Sequence, residues 1–358
     1  MMKRSAVILP QGDFLCGIVE GYYGRTWSHQ DRLDYAQFLP QLGLNSFLYC
    51  PKSDPYLRKQ WFAHWPLAQW QQLLELSAKY REQGLLFGLG LSPFELYRHY
   101  GAKERQQLKD KVQRIQELHP SLLALLFDDM PGAVVDLAER QAEIIADVQA
   151  WAPELRLLMC PTYYSTDPVL EKHFGPMPAE YWSRLGTLLA EQVEVFWTGP
   201  KVCSESISCA DLVVIQAAFG RPVTLWDNYP VNDGAVRSDK LYLEPLSQRS
   251  PKINQHLAGH FCNPMNQAQL SLPALRGLAE LYSNQLPQDL EAQLLGEELW
   301  RQLAQDRHAF QYGGLSGLGE LRRQELSSRY ARFTGPAAAE LVSWLQGEYT
   351  FDPACLTD

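Results

Sequence analysis

No segment of this 358-residue chain carries a block of basic residues. With 32 Lys and Arg against 41 Asp and Glu, its formal charge is −9. That excludes the phosphate-neutralising surface of a nucleic-acid binder and gives an anionic membrane nothing to attract. No apolar run reaches the roughly 18 residues of a membrane-spanning helix. Residues 1–9 hold only a short apolar stretch with no small-residue cleavage site, so no signal peptide is expected. The seven cysteines are odd in number, scattered and without a CxxC pair. Cys16, Cys50, Cys160 and Cys262 lie in or beside apolar strand-like runs and read as buried reduced thiols. A reducing compartment, the cytoplasm, is the expected location. The one H-x-x-x-H spacing, His256 and His260, lacks a glutamate after the first histidine and spans a strand candidate. Four residues along a strand hold two rings roughly 13 Å apart, too far to share an ion. Neither a metal nor another cofactor is therefore expected. Sequence repeats and low-complexity tracts are also absent.

Hydrophobic residues make up 46% of the chain, enough for one large core and a smaller appendage. Short apolar runs alternate with amphipathic helical patterns. The strand candidates are Cys16–Glu20, Ser46–Tyr49, Leu85–Leu91, Leu122–Phe127, Arg156–Cys160, Glu194–Trp197, Val223–Trp226 and Leu257–Cys262. Between them, Ser28-His29-Gln30-Asp31 resembles a capping box, and its helix ends before Gly43. Pro66 opens a second helix. Lys103–His119, Gly132–Ala150, Ala179–Glu191 and Ser208–Gly220 continue the pattern. Eight such alternations predict an α/β fold, a (β/α)₈ barrel over residues 1–285. An open dinucleotide-binding sheet would need G-x-G-x-x-G after the first strand, and Gly21-Tyr22-Tyr23-Gly24 does not supply it. From residue 286 to 358 the chain turns rich in Leu, Glu, Gln and Arg. Helical periodicity there covers Asp289–Phe310, Leu318–Phe333 and Pro336–Gln346, which predicts a small C-terminal helical domain.

The fourth strand candidate ends in Phe127-Asp128-Asp129-Met130. Two carboxylates at the end of a strand buried on both faces are costly unless used or paired. In a parallel barrel, that end carries catalytic side chains. Capping the next helix, or pairing with a Lys or Arg, would also account for them. Successive strand residues point to opposite faces, so the chain must bend for both acids to enter one pocket. Neighbouring carboxylates in a partly dry site resist ionising together, and a retained proton is what a general acid needs. The other strand ends add carboxylates, amides, one lysine and many aromatics. Such a mouth suits a neutral polyhydroxylated ligand, with rings against a sugar face and Asp or Asn on its hydroxyls. For Trp197 and Trp226 individually, plain core packing is the competing reading.

Seven segments occur in an order and spacing that resemble glycoside hydrolase family 84. They are Gly17–Trp27, Leu48–Lys52, Phe127-Asp128-Asp129, Cys160–Tyr164, Trp197–Pro200, Trp226–Asn228 with Asp233, and Asn263-Pro264. The resemblance covers about residues 15 to 285 and implies a retaining exo-β-N-acetylglucosaminidase acting through an oxazoline formed by the substrate's own acetamido group. It implies that Asp128 holds the acetamido N–H and that Asp129 is the general acid and then the base. Tyr164 and Asn228 match residues near the acetamido group and reacting centre. Lys52, Asp233 and Asn263 match hydroxyl-binding residues, Gly21 contributes backbone, and Trp226 walls the sugar. Tyr163 stands where the family usually has Glu, and the loop at 130–135 is shorter than usual. The implied partner is a β-GlcNAc-bearing glycoconjugate or O-GlcNAc protein. A non-catalytic GlcNAc-binding barrel is the alternative.

Overall fold

The computed structural model describes residues 14–283 and 286–357. Eight parallel strands close on themselves in sequence order: β1 Leu15–Glu20, β2 Ser46–Tyr49, β3 Leu86–Leu91, β4 Leu122–Leu126, β5 Arg156–Cys160, β6 Glu194–Trp197, β7 Val223–Asp227 and β8 Leu257–Cys262. The ring closes where Gly17 of β1 pairs with Phe261 of β8. Nearly every strand residue is buried, because the barrel interior takes one face and the surrounding helices cover the other.

The surrounding helices are α1 His29–Leu42, α2 Leu67–Glu82, α3 Ala102–Gln116, α4 Leu137–Trp151, α5 Val169–Phe174, α6 Tyr181–Leu188, α7 Cys209–Phe219 and α8 Leu272–Tyr282. Ser28 and Asp31 cap α1 reciprocally, and Gly43 ends it in the left-handed region. Helix α4 starts at Leu137, later than the periodicity from Gly132 predicts. Residues 131–136 instead form a loop that ends with Asp136 at φ 57°.

The C-terminal region is helical: α9 Leu290–Leu295, α10 Glu297–His308, α11 Gly314–Tyr330 and α12 Pro336–Leu345. Gly296, at φ 96°, splits the helix expected from Asp289. These helices pack on loops of the last two βα units. Glu340 of α12 accepts from the backbone N–H groups of Gln269 and Leu270, each at 3.1 Å. Leu241 N–H reaches the Phe310 carbonyl at 3.2 Å, and Asp239 accepts from Ser316 at 3.0 Å. Beyond α12 the chain turns at Gly347 and runs back across the barrel mouth.

Buried polar residues pin the strand ends. Glu20 takes a two-pronged bond from Arg32 at 2.7 and 2.8 Å. Asp227 is enclosed by Arg249, at 2.8 Å through two nitrogens, and by His260 at 3.2 Å. His260 is thus a satisfied core residue facing Asp227 and Tyr282. Burial disfavours ionising Asp227, yet the Arg249 charge and the bond from His260 outweigh it and hold the carboxyl at about 2.

Candidate active site

The side chains beyond the strand ends meet in one solvent-open cavity. Gly21, Lys52, Asp128, Asp129, Tyr164, Trp226, Asn228, Asp233 and Asn263 all line it. Every candidate site residue read from the sequence is therefore brought together.

The bend required at the acid pair lies at Asp129, whose φ is 54°. A non-glycine residue pays about 1–2 kcal/mol for this left-handed conformation, so it persists where neighbours hold it. Arg58 is one such neighbour. Its guanidinium is buried, donates to the Asp129 carbonyl at 3.1 Å and to Ser92 Oγ at 2.9 Å. The turned backbone lets both carboxylates face the cavity.

Their surroundings differ. Asp128 Oδ2 forms an ion pair with the Lys52 ammonium, both nearly buried. Burial disfavours that ammonium, but the Asp128 charge outweighs it and raises the Lys52 pKa. Asp128 Oδ1 is buried and meets no hydrogen-bond partner among the described residues. Asp129 is held by two phenols: Tyr23 donates to Oδ2 at 2.7 Å and Tyr164 to Oδ1 at 2.8 Å. Burial and the adjacent Asp129 charge push both phenols far up, so they stay protonated donors.

The opposite wall is an amide relay. Gly21 N–H donates to Asn263 Oδ1 at 3.1 Å, Asn263 Nδ2 donates to Asn228 Oδ1 at 3.0 Å, and Trp226 Nε1 donates to the same oxygen at 3.0 Å. Asn228 Nδ2 is fixed on the Val202 carbonyl at 2.8 Å. Asp233 Oδ2 accepts from Tyr23 N–H at 2.7 Å. Burial pushes Asp233 up to about 6, against that N–H, which lowers it.

The family model for beta-N-acetylglucosaminidase matches residues 16–311. This chain belongs to that family, glycoside hydrolase family 84. It is similar to the Protein O-GlcNAcase of Mus musculus, 29% identical over 282 residues, covering 76% of this chain and 30% of the relative. The Rattus norvegicus Protein O-GlcNAcase gives 29% over 285 residues with the same coverage. The chain thus spans about a third of the length of these curated relatives. A solved mutant O-GlcNAc hydrolase from Thermobaculum terrenum superposes with a TM-score of 0.76 at 29% identity, covering 94% of this chain and 81% of that one.

Tyr163 and the loop at 130–135, both singled out in the sequence, pack against each other. Tyr163 is buried and is not among the cavity-lining residues. Its hydroxyl donates to the Gly175 carbonyl at 2.6 Å, and its ring lies so close to Gly132 that a Cβ there would sit 2.2 Å from the hydroxyl. It packs the short loop after Asp129 against the end of α5. Of the two tryptophans, Trp226 lines the cavity, whereas Trp197 is a core residue.

Sequence reasoning missed three cavity-lining residues, Tyr23, Cys355 and Thr357, and also Arg58, which holds the Asp129 backbone from behind the cavity wall. Tyr23 lies inside the segment Gly17–Trp27, and its place two residues after Gly21 is the available signal. Among the described residues, no group of three or more His, Cys, Asp or Glu could hold a metal ion. No helix among them is long and apolar enough to cross a membrane.

Proposed function

We propose that this family 84 chain removes terminal β-linked N-acetylglucosamine with retention, the substrate's acetamido group serving as nucleophile. The observation that carries the reading is the unequal environment of the two adjacent acids. Asp128, paired with Lys52, has one buried oxygen to spare that can accept one N–H. An acetamido N–H satisfies that oxygen and turns the acetamido carbonyl toward the anomeric carbon. Asp129 has no ion-pair partner among the described residues; each of its oxygens accepts from a neutral phenol, a rotor that can turn away when a proton sits there, and Asp129 is the acid assigned to proton exchange.

In the first step the acetamido oxygen bonds to the anomeric carbon as the glycosidic bond breaks. The leaving oxygen takes the proton of Asp129, and the positive charge that develops on the acetamido nitrogen faces Asp128. In the second step Asp129 takes a proton from water, the water oxygen attacks the anomeric carbon, and the oxazoline ring opens. No enzyme carboxylate bonds to the sugar, unlike in the two-carboxylate scheme. Lys52, Asp233 and Asn263 bind hydroxyls, Tyr164 and Asn228 stand beside the acetamido group and the reacting centre, and Trp226 supplies the apolar wall. The substrate is a β-GlcNAc-bearing glycoconjugate or O-GlcNAc protein. The buried thiols of Cys16, Cys50, Cys160 and Cys262 support a cytoplasmic setting.

The test is release of aryl alcohol from an aryl β-N-acetylglucosaminide beside the matching β-glucoside. Hydrolysis of the first alone is expected. Equal hydrolysis of both would overturn substrate assistance. Binding of N-acetylglucosamine with no hydrolysis would favour the non-catalytic barrel.

A further inference from the structure

Residues 349–357 reach the sugar site from outside the barrel. Thr357 is buried, and its Oγ1 lies 3.5 Å from the hydroxyl of Tyr164, the phenol that holds Asp129. Cys355 Sγ lies 4.0 Å from Asp233 Oδ1, on the oxygen that the Tyr23 N–H leaves open. Both residues line the same cavity as the acid pair. The segment therefore contacts two groups that the reading above assigns to the sugar.

Beyond Tyr349, which packs partly buried against the core, its anchorage outside the cavity is light. Glu348 meets Arg25 at 3.9 Å with both side chains about half exposed, and Arg25 stacks 4.7 Å from the Tyr349 ring. Exposed contacts of this kind hold a chain weakly. Asp352 organises a turn of its own, its side chain accepting from Ala354 N–H and its carbonyl from Cys355 N–H, each at 2.9 Å. Phe351 and Leu356 point to solvent, 44% and 51% exposed. A preformed turn with weak hinges and a buried tip can leave without disturbing the barrel.

We infer that residues 349–357 form a strap that occupies the sugar site in competition with substrate, which makes Cys355 and Thr357 determinants of substrate access. The inference rests on the proposed glycosidase site. A substrate that binds only the strap-open form has its apparent affinity reduced by the open fraction. Releasing the strap lowers KM and leaves the acid pair in place. Bulky leaving groups gain most, because the strap crosses the mouth through which they project.

The test compares the intact chain with one ending at Tyr349 and with the Cys355→Ala/Thr357→Ala double variant. KM for an aryl β-N-acetylglucosaminide is expected to fall on the order of tenfold in the shortened chain, about 1.4 kcal/mol in binding, and by less in the double variant. The double variant covers the case in which the shortened chain does not fold. Unchanged KM in a folded variant, or a raised one, overturns the strap; a raised KM makes these residues part of the substrate wall. If neither chain hydrolyses the substrate, the glycosidase reading fails instead. Calorimetric binding of N-acetylglucosamine then reads the strap by itself, with tighter binding after shortening expected and equal binding refuting it.

Discussion

Gly21→Ala is expected to lower kcat/KM about a hundredfold. A Cβ at Gly21 would lie 2.2 Å from Cζ2 and 2.5 Å from Cη2 of Trp226. Carbon atoms rest about 3.5–4.0 Å apart, so one side must retreat by more than about 1 Å. The indole has little room to do so. Its Nε1 is bonded to Asn228 at 3.0 Å, and its ring meets Phe196 edge-on at 5.2 Å. The Gly21 backbone is equally tied, donating to Asn263 at 3.1 Å. The displacement therefore passes into the Asn228–Asn263 pair, which borders the reacting centre. A misplacement of about 1 Å costs on the order of 10² in rate, equivalent to about 2.7 kcal/mol of barrier. Overpacking should remove about 1–3 kcal/mol of stability as well. Steady-state kinetics on the aryl substrate, with thermal melting alongside, measure both. Gly317→Ala, whose Cβ would meet nothing within 4 Å, is the control. A folded Gly21→Ala enzyme within about threefold of the parent kcat/KM would refute the argument.

Other outcomes follow from the same geometry. Asp129→Ala should lose activity far more on alkyl than on aryl glycosides, since a good leaving group needs little protonation; equal losses on the two classes would remove Asp129 from the acid role. Burial raises Asp233 to about 6, and its anionic form is the better acceptor for sugar hydroxyls. KM should accordingly fall as pH rises from about 5 to about 7, and Asp233→Asn should flatten that limb while raising KM. An inflection that survives the substitution belongs to another group. The Asp227 carboxyl, held at about 2 below its usual 3.8, stabilises the fold above pH ~4 by about 2 kcal/mol, and this is lost as pH falls from ~4 to ~2. Arg249→Met strands that buried charge and should cost about 3–5 kcal/mol in urea unfolding; a loss below about 1 kcal/mol would contradict the buried-pair reading.

Much of this was legible in the chain itself, for a physical reason. Leu122–Phe127 and its counterparts are uninterrupted apolar runs, and a strand buried on both faces leaves that trace. The polar residues after most runs could then be assigned to one mouth, where the structure gathers Lys52, Asp128, Asp129, Tyr164, Asn228, Asp233 and Asn263. The need for a bend at Asp128-Asp129 was readable from strand alternation. Its location at Asp129 was not, because aspartate has no intrinsic preference strong enough to announce a left-handed turn. Arg58 left no trace either: its partner is a backbone carbonyl 71 positions away. The strap was invisible for a similar reason, since Cys355 and Thr357 follow no periodic pattern and acquire meaning only from what they touch.

The bond from Gly21 N–H to Asn263 joins residues 242 positions apart, and β1 has no second neighbour until β8 arrives. A ribosome adds about 5–20 residues per second, so roughly 12–50 s separate the synthesis of these two partners. In the later part of that interval, once residues 128 and 129 have been made, the acid pair exists on a nascent half-ring while the Asn263 end of the amide relay has not yet been made. The barrel wall of the cavity is therefore completed only when the eighth strand arrives, after the acid pair and most of the other lining residues have been made.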